Sequence, residues 1–276
     1  MKKILILIIF TLISMYYTNI CMEVLKEKDP IMQEIKSNMS KYEESANDAN
    51  IIGNVIVPGH IGRRVNKNKS YSKMKKYGNY NETLTVMEEV KPELSVSNTF
   101  DKYIEKGNSN NKNVSFVFIY DENIDKVIKI LNSKHIPSTI FLDGIYLEND
   151  SLNRLKYNGN INYELLSYNG EYDENLFKTS LSYLESVIKR SPRYCYSEVE
   201  NPDVLNLCSK LKMHTIKPYI RIDENLLKEV KSSLSNSIII SIKSSSSNIS
   251  ELSSVIDYVI SKGYDIVSLD NLISEN

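Results

Sequence analysis

The side chains that could do chemistry are carboxylates, phenols, a serine and a lysine at the ends of apolar segments. They are Tyr120, Asp121, Glu122, Asp143, Tyr168, Ser197, Glu198, Tyr219 and Lys243. A carboxylate can act as a general base or hold a hard divalent cation, and a tyrosine can stack against a sugar ring. The serine run at residues 244–247 lacks a Gly-x-Ser-x-Gly elbow, and the chain has no P-loop and no Gly-x-Gly-x-x-Gly motif. Serine-hydrolase and nucleotide chemistry are therefore not indicated.

Histidine offers little material for a His-rich metal centre, because the chain has only three, His60, His135 and His214. His60 lies in a Val-Pro-Gly-His loop, and His135 lies in a helix-to-strand turn before a proline. His214 begins a strand-like segment. A solvated role is expected for His60 and structural roles for the other two.

Strands and helices that alternate along the chain must position these side chains. Seven strand candidates follow one another, at residues 114–120, 138–144, 161–168, 193–198, 214–220, 237–243 and 265–269. Helix candidates separate them, among them residues 152–157 and an amphipathic segment at 174–189. The alternation predicts an α/β fold with a parallel sheet, either open and doubly wound or closed into a barrel. In both cases a site lies at the carboxyl ends of the strands.

The N-terminus predicts export. Lys2 and Lys3 precede residues 4–22, which carry no charge and nearly reach the roughly 20 apolar residues that a membrane span needs. An uncleaved signal anchor at residues 1–22 would make this a single-pass protein of the cell membrane with an extracellular C-terminal domain. A cleaved signal peptide, which would give a secreted protein, and a lipoprotein modified at Cys21 are the alternatives.

Two regions lie between the anchor and the repeating pattern. Residues 23–50 form a stalk or linker helix that Asp29 caps, and its apolar stripe could pack on the domain or on a partner helix. Residues 51–112 form a small α+β domain, with strands expected at 51–57 and 84–90 and a helix at 70–76. The repeating pattern then occupies residues 113–276.

Composition excludes two classes of protein. The 276 residues include 34 Lys+Arg and 35 Asp+Glu, so the net charge of -1 gives no field to hold a nucleic acid. Three cysteines exclude a disulfide-dense scaffold. Cys195 and Cys208 either pair outside the cell or fill the core as small apolar residues.

From about residue 113 to 276 the chain resembles the polysaccharide deacetylase family, the NodB-homology domain of carbohydrate esterase 4-like proteins. Three stretches carry the resemblance: VSFVFIYDENIDKVIKILNSKHIPSTIFLDG, YLESVIKRSPRYCYSEVENPDVLNLCS and SSVIDYVISKGYDIVSLDNLI. The resemblance implies an irregular seven-stranded (β/α) barrel.

The resemblance also implies a chemistry, the metal-assisted hydrolysis of an N-acetyl group on a sugar. In the family an Asp and two His hold the metal, a second Asp is the base, and a late His is the acid. The acidic motif best matches Tyr120-Asp121-Glu122, which implies Asp121 as base and Glu122 as metal ligand. A one-residue change of register would place Ile119 and Tyr120 there instead.

The family's histidines are absent from the matching positions. The metal-binding pair corresponds to Glu164 and Tyr168, and the late histidine falls near Ile242 and Lys243. The third motif appears as residues 196–199, Tyr-Ser-Glu-Val, without its arginine. The resemblance therefore implies a degenerate member of the family.

These observations predict a cell-envelope pseudoenzyme that binds a cell-wall glycan or an envelope protein, without a cofactor and without nucleic acid. Its membrane contact is expected through residues 4–22. The groove candidates are Tyr168, Tyr196, Glu198, Tyr219 and Lys243. The alternative is a divergent metal-dependent N-deacetylase acting on cell-wall polysaccharide. Three carboxylates, Asp121, Glu122 and Glu164, would then hold a divalent cation harder than zinc.

Overall fold

The computed structural model describes residues 2–108, 110–148 and 160–275. Its helices are α1 (Lys2–Glu27), α2 (Pro30–Asn38), α3 (Lys67–Lys75), α4 (Ile124–Ser133), α5 (Ile145–Glu148), α6 (Glu174–Ile188), α7 (Pro202–Lys210), α8 (Leu226–Ser233), α9 (Ser246–Ser261) and α10 (Leu269–Ile273). Its strands are β1 (Asn50–Ile52), β2 (Val55–Val57), β3 (Gly62–Val65), β4 (Met87–Val90), β5 (Tyr103–Ile104), β6 (Asn113–Ile119), β7 (Ser138–Leu142), β8 (Ile161–Leu165), β9 (Tyr194–Tyr196), β10 (His214–Ile216), β11 (Ile220–Ile222), β12 (Ile238–Ile242) and β13 (Asp265–Ile266). The helix predicted at residues 152–157 lies outside the described residues.

The chain divides into two compact units. Unit 1 comprises Met1–Asn47 and Ile61–Lys91, and unit 2 comprises Asp48–His60 and Pro92–Asn276. These limits differ from the boundaries expected at residues 50 and 112. The physical reason is β5, which pairs in parallel with β10 and β2 and so belongs to a sheet of unit 2.

In unit 1 the α1 helix contains an apolar stretch, Ile8–Glu27, with a mean hydropathy of 1.5 and none of it buried. Its 20 residues are long enough to cross a membrane, and a signal sequence has the same properties. The predicted apolar N-terminal helix is therefore confirmed.

The stalk helix of the prediction packs within unit 1. Asp29 Oδ1 accepts a hydrogen bond from Ile31 N at 3.0 Å and caps α2, as its sequence predicts. The buried side chains Ile31 and Ile35 contact Val65 and Met74 from β3 and α3. The helix ends at Asn38 and is followed by a 3₁₀ turn, so it is shorter than expected.

Residues 51–57 form a hairpin and not the single strand that was expected. Strands β1 and β2 pair antiparallel across Gly53 and Asn54. Gly53 has a φ of 61°, which a glycine adopts without steric cost, so the Gly-Asn pair reverses the chain. The segment therefore contributes two short strands to the edge of a sheet.

Unit 2 contains two mostly parallel sheets. One has the order β1-β2-β5-β10-β9, and the other has the order β11-β12-β6-β7-β8, with β13 also paired to β6. The segment expected as one strand at residues 214–220 is split into β10 and β11, which pair with different sheets. Pro218 lies in the break and has no N–H to donate to a ladder.

Strands β6 and β12 are buried on both faces, as parallel strands between layers require. Phe116, Phe118 and Ile240 lie in one apolar cluster, while Val117 and Ile239 lie in a second. Parallel pairing sets Ile242 opposite Phe118 and Phe118 opposite Ile140. The residues that follow β6, β7, β8 and β12 therefore meet at one edge of this sheet.

Cys195 and Cys208 form a disulfide, with 6.3 Å between their Cα atoms. Both residues are fully buried, and the bond joins the middle of β9 to α7. Cys21, on α1, is an exposed free cysteine. The sequence left two roles open for Cys195 and Cys208, a disulfide or two separate core residues, and the structure shows the disulfide.

Candidate functional site

A cavity of about 200 Å³ opens at the carboxyl ends of β6, β11 and β12. Its lining residues are Ile119, Asp121, Arg221, Ser241, Ile242, Lys243 and Ser244. Two of the predicted site residues, Asp121 and Lys243, are thus brought together by the parallel pairing of β6 and β12. Arg221 and Ser244 were missed by the sequence reasoning. An arginine within the apolar strand Ile220–Ile222 was the signal that could have revealed the first.

Asp121 is the acidic group of this cavity. Its Oδ1 accepts a hydrogen bond from Asn123 N at 2.8 Å. Burial raises the pKa of Asp121, and the neighbouring Glu122 carboxylate adds to the rise, while the Asn123 N–H, Ser244 and Lys243 oppose it. The Ser244 hydroxyl is buried in the wall of the cavity beside Asp121.

Two carboxylates hold the arginine of the cavity. Arg221 forms an ion pair with Glu198, and its Nη2 lies 3.1 Å from Asp223 Oδ1. The predicted groove residue Glu198 therefore neutralises a cation at the cavity wall. The lysine differs, because Lys243 is exposed and no ion pair joins it to a carboxylate of the described residues.

Two of the predicted groove tyrosines are not placed to stack on a ligand in this cavity. Tyr196 is only 2% exposed, its hydroxyl lies 2.9 Å from Ser241 Oγ, and its ring packs on Phe141. Tyr219 is exposed, but its N–H bonds to the carbonyl of Ile239 near the start of β12. Four residues of strand, roughly 13 Å, separate that point from Lys243.

Other tyrosines lie at the strand ends. The rings of Tyr120 and Tyr146 have centroids 4.9 Å apart, and Tyr146 is 39% exposed. Tyr168 follows β8 and is half-buried next to Gly144, where an added Cβ would lie 2.9 Å from the tyrosine ring. Tyr146 was not among the predicted residues, because it falls in a short helix that the sequence pattern did not reveal.

Glu164, a predicted metal ligand, is fully buried in an ion pair. Its Oε1 lies 2.7 Å from Nη1 of Arg190, and its Oε2 accepts hydrogen bonds from the main-chain nitrogens of Arg193 and Tyr194. Burial raises the pKa of Glu164, and the guanidinium and the two N–H groups oppose that rise. Both carboxylate oxygens are engaged by the protein, which argues against a role as metal ligand.

Asp143 organises the loop that follows β8. It is 9% exposed and accepts hydrogen bonds from the Ser167 hydroxyl at 2.5 Å and from the main-chain nitrogens of Asn169 and Gly170. A fourth bond comes from Ile145 N. Burial acts to raise the pKa of Asp143, but these four donors outweigh it and hold the pKa below its usual value.

Asp143→Asn is expected to lower the free energy of unfolding at pH 7 by about 2 kcal/mol, because a charged acceptor of several hydrogen bonds is lost. A depressed carboxyl pKa stabilises the fold above the unfolded-state value of about 4, and this contribution disappears as the pH falls through the folded-state pKa. The difference between wild type and variant should therefore shrink below about pH 4. Chemical denaturation over a pH series measures this. The exposed Glu224→Gln serves as control, and a difference that is constant with pH would contradict the assignment.

The carboxylates Asp121, Glu122 and Glu164 are not assembled into a metal site. Glu122 is exposed, and Glu164 is occupied by Arg190. Within residues 2–108, 110–148 and 160–275, no group of three His, Cys, Asp or Glu side chains is arranged to hold a metal ion. Tyr168 is a poor replacement for an imidazole, so these donors do not fit the metal of the deacetylase family.

His214 is half-buried and packs against an aromatic ring. The ring of His214 stacks on Phe100 with centroids 4.6 Å apart, and burial lowers the pKa of His214. His135 lies in the turn before β7 with a φ of 56°. Neither residue lies in the lining of the strand-end cavity.

One curated relative matches part of the chain. The protein YlxY of Bacillus subtilis, described as uncharacterized, is 31% identical over 128 residues, or 45% of this chain. The match spans 40% of the length of that relative. No protein-family model matches the chain.

Solved structures share the fold over most of the chain. A carbohydrate esterase family 4 pseudoenzyme from Bacillus anthracis has a TM-score of 0.67 at 20% identity, covering 90% of this chain and 96% of that one. A mutant of that pseudoenzyme with restored enzymatic activity has a TM-score of 0.67 at 21% identity, covering 90% of this chain and 99% of that one. A family 4 carbohydrate esterase from Bacillus anthracis has a TM-score of 0.53 at 20% identity, covering 62% of this chain and 87% of that one.

Identities at this level show the fold and leave the activity open. The match to both the pseudoenzyme and the esterase confirms the resemblance that the sequence motifs predicted. The chain has the α/β fold of the family 4 carbohydrate esterases.

Proposed function

We propose that this chain is a non-catalytic, membrane-anchored protein of the polysaccharide deacetylase family that binds cell-wall glycan at its strand ends. One observation carries the proposal. The residues that match the metal-binding histidine pair are Glu164 and Tyr168, and Glu164 is already neutralised by Arg190 at 2.7 Å. Likeness to a pseudoenzyme of the same fold supports it. The seven predicted strand segments, represented by β6, β7, β8, β9, β10, β12 and β13, would then form the irregular barrel of that family.

Two features support an extracellular position for unit 2. The Ile8–Glu27 stretch of α1 is long and apolar enough for a signal anchor, and Lys2 and Lys3 would remain on the cytoplasmic side. The Cys195–Cys208 disulfide belongs to an oxidising compartment, because such bonds are rare in the cytosol.

The proposed glycan contact lies beside the strand-end cavity. Tyr146 and Tyr168 follow β7 and β8 at the edge where β6 and β12 also end, and the face of an aromatic ring suits the C–H groups of a sugar. The Ser244 hydroxyl in the cavity wall and the exposed Lys243 ammonium can donate hydrogen bonds to sugar hydroxyl or acetamido oxygens.

The double variant Tyr146→Ala/Tyr168→Ala is expected to weaken cosedimentation of the protein with purified cell wall about tenfold, the effect of losing about 1.4 kcal/mol of stacking. Tyr219→Ala is the matched control, because Tyr219 is also an exposed tyrosine but lies away from the cavity. Unchanged binding in the double variant would contradict the glycan site. Crosslinking to an envelope protein without wall binding would favour a protein partner.

The divergent hydrolase is the second candidate, favoured by the position of Asp121 next to Lys243 and Ser244 in the cavity. We expect no release of acetate from N-acetylated wall fragments when zinc, cobalt or manganese is added, because the cavity offers no imidazole donor. Turnover that disappears in Asp121→Ala and persists in Glu224→Ala would establish the hydrolase instead.

A further inference from the structure

The charges of the chain are divided unevenly between its two units. Unit 1 has 14 Lys+Arg against 9 Asp+Glu, and unit 2 has 20 against 26. We propose that Lys69 and Lys73 of α3, together with Lys76 at its C-cap, bind the anionic phospholipid headgroups of the bilayer that α1 spans. This inference rests on the proposed membrane anchor and adds a second, electrostatic contact with the same membrane.

The position of α3 beside the end of α1 is the first step. Lys26 Nζ, in the last turn of α1, lies 2.5 Å from Asn68 Oδ1 on α3 and 5.3 Å from the ring centroid of Tyr71. Tyr71 also lines a cavity of about 530 Å³ together with Asn19 and Met22 of α1. Helix α3 therefore lies beside the C-terminal part of α1, which in the proposed anchor emerges among the headgroups.

The orientation of α3 is the second step. Ser70 and Met74 are buried against the rest of unit 1. Lys69, Lys73 and Lys76 are spaced by four and three residues, so they share one face, and all three are exposed. Among the described residues, none of the three forms an ion pair. By contrast Lys75, on the neighbouring face, is held 2.5 Å from Asp29 Oδ2.

The choice of partner follows from place and charge. Lysines near an anionic membrane surface are attracted to it, and the attraction fades within a Debye length of about 10 Å. The Lys69, Lys73 and Lys76 face continues from the part of α3 whose Asn68 and Tyr71 contact the end of α1. Tyr71, beside Lys26, has the amphipathic character of residues in the interfacial belt. Phospholipid headgroups are therefore the partner that the position favours over a soluble polyanion.

The test uses the full chain in nanodiscs of phosphatidylcholine, alone or mixed with phosphatidylglycerol. Acetylation rates of individual lysines are followed by mass spectrometry at low and high salt. We expect Lys69, Lys73 and Lys76 to react about fivefold more slowly in the anionic nanodiscs, the rate ratio for about 1 kcal/mol of attraction per lysine. High salt should remove the difference. The exposed unit 2 lysines Lys129 and Lys228 are matched controls and should react equally in both.

Separate outcomes test the anchor and the headgroup contact. If the chain elutes with the nanodiscs but the three lysines react equally in both lipids, the headgroup contact is refuted and the anchor stands. If the chain does not enter nanodiscs at all, the anchor and the contact that rests on it are both refuted. If soluble polyphosphate protects the same lysines in phosphatidylcholine nanodiscs as well as phosphatidylglycerol does, a soluble polyanion replaces the lipid as partner.

Discussion

Glu164→Ala is expected to lower the free energy of unfolding by about 3 to 5 kcal/mol, the cost of breaking a buried ion pair by removing one partner. Arg190 would lose its carboxylate, and the main-chain N–H groups of Arg193 and Tyr194 would lose their acceptor. The hydrogen bonds of Glu164 to Arg193 and Tyr194 connect β8 to the start of β9, so the variant would weaken the contact between these two strands. Urea denaturation followed by circular dichroism measures the change.

Two further variants make the Glu164 result specific. Glu171→Ala removes an exposed carboxylate a few residues away and should change the stability by less than about 0.5 kcal/mol. Glu164→Gln keeps an acceptor for the two N–H groups, so its free energy of unfolding should lie between those of Glu164→Ala and the wild type. A Glu164→Ala variant of wild-type stability that loses a bound divalent cation would contradict the structural role and restore the ligand role.

Removing the Cys195–Cys208 disulfide should have the second large effect. The bond closes a loop with a sequence separation of 13 residues, and the variant Cys195→Ala/Cys208→Ala is expected to lose about 3 kcal/mol. For a unit of this size that corresponds to a fall in Tm of roughly 6 to 12 °C. Differential scanning calorimetry with and without reductant measures it. Reductant should lower the Tm of the wild type to that of the variant and should leave the Tm of the variant unchanged.

Thiol counting in the denatured protein provides the control for the disulfide. Cys21 is exposed and free, so one thiol should react before reduction and three after it. Three reactive thiols in protein isolated from the cell envelope would contradict the pairing and weaken the argument for export. An unchanged Tm in the variant would show that the bond adds nothing to the fold.

Much of the α/β pattern could be predicted because it depends on periodicity. The apolar segment that became β6 and the amphipathic segment that became α6 each satisfy one local rule, and the structure places them as that rule requires. Local rules failed where a single residue interrupted a pattern. Gly53 turned one expected strand into a hairpin, and Pro218 split another into two strands in different sheets.

The site was harder to predict because its contacts are not local. A motif comparison can name Glu164 as the residue at a ligand position, but Arg190 pairs with it from 26 positions later in the chain. Tyr196 and Tyr219 end or follow strands in the sequence, yet one is buried inside the fold and the other lies near the start of β12. Only Asp121 and Lys243 could be paired in advance, since parallel strands bring their carboxyl ends together.

Because the two units alternate along the chain, neither can easily be exchanged by recombination during evolution. The polypeptide crosses between the units near residues 47, 60 and 91, so three peptide connections join them. A recombination event that replaced either unit would have to make three correct junctions at once. Cutting at a single junction would still leave the units covalently linked. The N-terminal unit 1 and the esterase-like unit 2 should therefore be inherited as one block and lost as one block.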